Sequence, residues 1–121
     1  MILVDTSVWV DHFRNTNTQL RNLLNDGDVV CHHFVVGELA CGNMKNREEI
    51  LSLLGDLPMA IQANHQEILK FIEIKKLMGK GLGYIDVHLL ASAALSNSAL
   101  WSLDKKLKDI ALEMNIGYKE Q

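Results

Sequence analysis

The stretch Met1-Ile2-Leu3-Val4-Asp5-Thr6-Ser7-Val8-Trp9 decides how the chain is read. Ile2 to Val4 is apolar without alternation, the pattern of a short strand buried on both faces of a sheet. Thr6-Ser7 is a helix N-cap signal, and it predicts a helix running to about Arg14. A buried strand passing straight into a helix is the start of a β–α unit of a parallel sheet. Asp5 stands at the junction, at the carboxyl end of the strand, where open parallel sheets bind their ligands.

The same alternation continues outward. A helix is expected over 17–25, ended by the turn Asn25-Asp26-Gly27-Asp28, followed by a buried strand at Val29-Val30-Cys31. Helices are expected over 33–42 and 46–55, then a weak strand from Leu57 to Ile61. Residues 64–78 have helical spacing, with Gly79 as the C′ stop. Further helices are read at 84–97 and 104–114, separated by a strand at 99–103, and Ile116 to Tyr118 is read as a final edge strand. The prediction is one domain over 1–121, a three-layer α/β/α fold with a central parallel sheet of about four to five strands.

Four acids occupy positions that look wrong for a carboxylate: Asp5, Glu38, Asp86 and Asp104. Asp5 and Asp104 close apolar strand-like runs, whereas Glu38 and Asp86 lie on apolar helical segments whose faces are expected to point at the sheet. Burial of a charge is costly unless it is paired or binds a metal. Two carboxylates about 5 Å apart repel by roughly 3 kcal/mol at an effective dielectric near 20. An all-oxygen set selects a hard cation, Mg²⁺ or Mn²⁺, whose waters can supply a nucleophile for phosphodiester hydrolysis. Plainer roles exist for three of the four: Asp5 and Asp104 as helix caps, and Asp86 as a residue favoured by the dipole of a helix start. Capping cannot account for a mid-helix Glu38.

Composition bounds the function. With 12 Lys+Arg against 15 Asp+Glu, net charge −3, the chain is no nonspecific coat for nucleic acid, although local basic clusters can still steer a polyanion. Hydrophobic residues make up 48% and charged residues 22%, the balance of an ordinary soluble globular protein. No apolar run is long enough for a membrane span, and the N-terminus carries no signal-peptide pattern. Cys31 and Cys41 sit in apolar stretches and are expected as reduced core thiols.

Four segments, in order, resemble the PIN-domain ribonucleases, and within them the VapC-type toxins of toxin–antitoxin pairs. They are Met1 to Trp9, Gly37-Glu38-Leu39-Ala40, Gly83-Tyr84-Ile85-Asp86 to Ala91, and Leu100-Trp101-Ser102-Leu103-Asp104 to Leu107. The resemblance implies a Mg²⁺- or Mn²⁺-dependent endoribonuclease, inhibited by a cognate antitoxin and usually homodimeric. By position it implies Asp5, Asp86 and Asp104 as metal ligands and Glu38 as a residue that holds or activates water. It also implies Ser7 as a hydroxyl that orients Asp5, and Ser102 as a second supporting hydroxyl.

Two other classes compete. A non-catalytic RNA- or protein-binding module could keep the fold, but the intact acid set counts against it. A phosphomonoesterase using Asp5 as nucleophile usually wants a second acid two residues on, where Ser7 stands. Lys80, in the loop Gly79-Lys80-Gly81-Leu82-Gly83, is a candidate RNA contact; the loop is no P-loop, lacking the Lys-Ser/Thr pair. His88 and the other histidines show no metal-ligand spacing, and Trp9, Phe13 and Trp101 are read as core or dimer-contact residues.

Overall fold

A computed structural model describes residues 1–120. The elements follow in the order β1 (Ile2–Val4), α1 (Thr6–Asn15), α2 (Thr18–Asn25), β2 (Val29–Val30), α3 (His33–Ala40) and α4 (Arg47–Gly55). α5 (His65–Lys75), α6 (Tyr84–Leu95), β3 (Ala99–Trp101) and α7 (Lys105–Glu113) complete the fold. The sheet is parallel with order β2-β1-β3, so the first strand is its centre. Leu3 and Val4 are both fully buried, as their unbroken apolar run requires.

The expected three-layer α/β/α arrangement is present, with fewer full strands than predicted. Outside β2, Met59 pairs with Cys31 through one parallel bridge; outside β3, Gly117 pairs with Leu100 through another. Two hydrogen bonds hold each outer segment: Cys31 N–H to Pro58 O and Ala60 N–H to Cys31 O, then Leu100 N–H to Ile116 O and Tyr118 N–H to Leu100 O. Pro58 has no N–H of its own and shortens the first ladder. At Gly117 the chain approaches α7 so closely that a Cβ would lie 2.7 Å from Leu112 Cδ2.

Several helix ends are set by side chains the sequence makes visible. Asn17 caps α2, Asn64 and Glu67 form a reciprocal capping box on α5, and Asp104 caps α7. Two ends differ from expectation. The hydroxyls of Thr6 and Ser7 do not cap α1; Asp5 holds the N-cap position, Ser7 donates to its carboxylate and Thr6 donates to Glu38. α5 stops at Lys75 rather than at Gly79, because Lys76 turns left-handed (φ 54°) and delivers Leu77 into the core at 5% exposure.

α6 is buried from Val87 through Ala93 and packs against β3 and α5. Trp9 and Trp101 are core residues and Phe13 packs against that core, as expected. Cys31 is buried, and burial pushes its thiol pKa up to about 11. Cys41 corrects the expectation of two core thiols: it is free but exposed, following α3 at its C-cap. No helix among the described residues is long and apolar enough to cross a membrane.

Candidate active site

Asp5 is delivered by β1 and clamped by β3. Its N–H donates to Trp101 O at 2.9 Å, so the acid begins where the central ladder ends. At 7% exposure its carboxylate is the most buried of the four. One oxygen, Oδ2, accepts from Ser7 Oγ at 2.7 Å and from Ser102 Oγ at 2.8 Å. Each serine in turn accepts a backbone N–H, Ser7 from Leu103 and Ser102 from Asp104, both at 3.0 Å. Two relays thus run from the segment after β3 through a hydroxyl onto a single carboxylate oxygen. Aligned hydrogen bonds polarise one another, and together the two fix the orientation of the carboxylate.

Two of the other acids, Asp86 and Asp104, stand at helix starts. Asp86, half-buried in the first turn of α6, accepts from Gly83 N–H at 3.0 Å. Burial raises its pKa above the usual carboxylate range; the Gly83 hydrogen bond opposes this, and the neighbouring charges of Asp5 and Asp104 add to it. Those two influences locate three carboxylates around one region. Asp104, exposed, accepts from Leu107 N–H at 3.2 Å and thereby caps α7.

Glu38 is placed differently from expectation. α3 buries Val35 and Leu39, so Glu38 falls on the adjacent, exposed stripe rather than facing the sheet. A carboxylate in water carries no burial penalty, so the energetic argument that singled out Glu38 does not apply to it. Its position is instead fixed by Thr6, whose Oγ1 donates to Glu38 Oε1 at 2.8 Å across 32 residues. Thr6 is the site residue that sequence reasoning missed. Its local signal, a polar residue at a helix start, pointed to capping.

Whether these residues suit a hard cation can be asked of their free oxygens. Each acid gives one oxygen to a protein donor, and the other accepts no hydrogen bond among the described residues. Among the described residues no group of three or more His, Cys, Asp or Glu is gathered closely enough to enclose a metal. The donor set, all carboxylate and with one uncommitted oxygen per residue, fits Mg²⁺ or Mn²⁺.

Around the acids, the loop Gly79 to Gly83 packs on the start of α7. Gly81 (φ 78°) has Lys106 laid against it; a Cβ there would come within 2.9 Å of Lys106 Nζ. Lys80 is exposed in the same loop, and neither it nor Lys106 forms an ion pair among the described residues. His88 is buried against aromatic rings.

A PIN-domain family model matches residues 2–113, the span that carries all four acids and both serines. The chain is also 42% identical over 122 residues to Ribonuclease VapC32 of Mycobacterium tuberculosis strain H37Rv, and to its counterpart in strain CDC 1551. Each alignment covers 100% of this chain and 98% of the relative. This chain is a VapC-type PIN domain. In this PIN domain the segments quoted from the sequence fall where the geometry needs them: two at strand ends and two at helices that border the crevice.

Proposed function

We propose that this PIN domain is a metal-dependent endoribonuclease toxin, working as a single domain over residues 1–121. The observation that carries the reading is the Asp5 relay. A buried carboxylate has one oxygen bonded by two serines and the other free of hydrogen bonds among the described residues, and its charge bears on Asp86 together with that of Asp104. That is how a ligand is oriented rather than how a helix is capped, and supporting partners of this kind tune metal ligands. The relatives named as ribonucleases support the same activity.

In this reading Asp5, Asp86 and Asp104 would hold Mg²⁺ or Mn²⁺. When bound, the cation would lower the pKa of a water and stabilise charge on a phosphoryl oxygen. Glu38, exposed and steadied by Thr6, accepts the proton of the attacking water. Ser7 and Ser102 keep Asp5 fixed in orientation. Lys80 and Lys106, free of ion pairs among the described residues, draw the RNA phosphates toward the acids. By the VapC type of the chain, a cognate antitoxin restrains the activity, the working form is a homodimer and the compartment is the cytoplasm.

The test is cleavage of a mixed RNA pool by the wild-type protein. We expect products in Mn²⁺ or Mg²⁺, none in excess EDTA, and none with Asp5→Asn. Undiminished cleavage in EDTA would overturn the reading. Growth arrest on expression, relieved by Asp5→Ala and by co-expression of an adjacent antitoxin gene, tests the toxin part.

A further inference from the structure

The two helices that carry Glu38 and Asp86 also carry an aromatic cluster that the chemistry above does not use. Phe34 lies one helical turn before Glu38 on α3, on the same exposed stripe, and 36% of it is exposed. Tyr84 opens α6 two residues before Asp86 and is 44% exposed. His88, 5% exposed, is packed between them. Its ring centroid stands 4.7 Å from Phe34 and 4.6 Å from Tyr84, at interplanar angles of 81° and 78°. Both are edge-to-face contacts of the favoured kind.

The two exposed rings are held, not loose. The Tyr84 hydroxyl meets His65 Nδ1 at 2.7 Å, tying α6 to α5. Phe34 is backed by fully buried His32 at a centroid distance of 5.2 Å. Four residues before Tyr84 stands Lys80, and Lys106 lies against the same loop. Rigid aromatic rings beside unpaired cations are what recognition of unpaired nucleotides requires: bases stack on the rings while cations follow the backbone. Bases held within a duplex cannot use such a wall.

We propose that Phe34 and Tyr84 form a stacking wall for an unpaired nucleobase next to the phosphate that is cut, so that they select single-stranded over duplex RNA. The proposal rests on the ribonuclease reading, deepens it, and adds two specificity residues to it. The experiment uses fluorescein-labelled RNA and fluorescence anisotropy, in Mg²⁺, with Asp5→Asn as the non-cleaving background. Phe34→Ala and Tyr84→Ala are expected to weaken binding of unpaired RNA about 5- to 100-fold, with duplex binding unchanged. Phe34→Trp and Tyr84→Phe, which keep a ring, are expected to retain affinity within about twofold. In the otherwise wild-type chain the alanine changes raise KM and leave kcat in place.

A scan with one abasic nucleotide at a time needs no substitution in the wall, so it is readable even where an alanine variant unfolds. Affinity is expected to drop at one or two adjacent positions. A flat scan, or equal losses for unpaired and duplex RNA, would overturn the proposal. So would alanine variants that dissociate a dimer in sedimentation while binding RNA normally, which would assign the rings to a contact between copies. Failure of the wild-type chain to cleave RNA would instead remove the nuclease reading, and the binding contrast would remain to be read on its own.

Discussion

Ser102 Oγ donates to Asp5 Oδ2 at 2.8 Å, joining residues 97 apart in sequence and closing the first strand onto the segment after the third. The bond is buried, and Ser102 simultaneously accepts the N–H of Asp104. One small hydroxyl therefore positions two of the four acids. Ser102→Ala is expected to lower metal affinity and kcat about 10- to 100-fold and to cost about 1–2 kcal/mol of stability. Ser7→Ala removes the parallel relay onto the same oxygen, so the double variant should lose less than the product of the two single losses. Kinetics and thermal melting of the three variants check this.

Thr6→Val keeps the shape of the α1 start and deletes the donor to Glu38. Because Glu38 is exposed, stability should change by less than about 0.5 kcal/mol. Turnover should fall while Mn²⁺ affinity stays near wild type, because Glu38 is assigned to the water and not to the cation. Parallel loss of cation binding in Thr6→Val would contradict that division of labour.

Stability should fall as the medium is acidified below neutrality, and His32 contributes to this. It is fully buried at the start of α3, where its Nδ1 accepts the Phe34 N–H at 3.0 Å. Burial first, then the nearby His88 and His33, lower its pKa to about 4. A histidine whose folded pKa is depressed is stable in its neutral form above the unfolded value near 6.5. As pH falls from there toward 4 the unfolded chain takes up the proton first, and on the order of 3 kcal/mol is lost. His32→Asn keeps a capping acceptor without the titration, so its stability between pH 7 and pH 4, followed by denaturant melts, should decline less steeply.

Gly117→Ala should destabilise the fold by about 1–3 kcal/mol. The added methyl would meet the side chain of Leu112 and also its backbone nitrogen, at 2.9 Å, which cannot step aside as a flexible side chain can. The loss should appear in denaturant melts, with Mn²⁺ binding by the folded fraction preserved.

Much of this was legible in the sequence because local pattern and topology agreed. Ile2 to Val4 could only be a doubly buried strand, and a strand ending in Asp5 beside a helix start places that acid at the carboxyl edge of a parallel sheet. The order and type of the helices followed from periodicity and from caps such as Asn17 and Asn64. The edges were less legible. Met59 and Gly117 each pair through one residue, which leaves too little of an alternating pattern to count strands by. The end of α5 escaped because the pull of Leu77 into the core overrides the glycine two residues later.

Within the site, Asp5 and Asp86 were found by the right argument, since both give up solvent. Glu38 and Asp104 are singled out by the same argument because their sequence neighbours are apolar, but both are exposed, so the cost of burial does not hold for them. The Thr6–Glu38 pair, and the rings of Phe34 and Tyr84 meeting across His88, join helices far apart in sequence. No local periodicity encodes such pairs.

The central claim is that Asp5, Asp86 and Asp104 form one cation site. Titration of Mn²⁺ into the metal-free protein, followed by calorimetry, tests it most directly. The account predicts saturable binding to the wild-type chain that disappears in Asp5→Asn and in Asp86→Asn, while both variants melt cooperatively. Because burial, and after it the charges of Asp5 and Asp104, raise the Asp86 pKa, binding should also release protons near that pKa and weaken as the pH falls through it. Mn²⁺ bound equally well by the folded wild-type and Asp86→Asn chains, or not at all by the wild type, would contradict it.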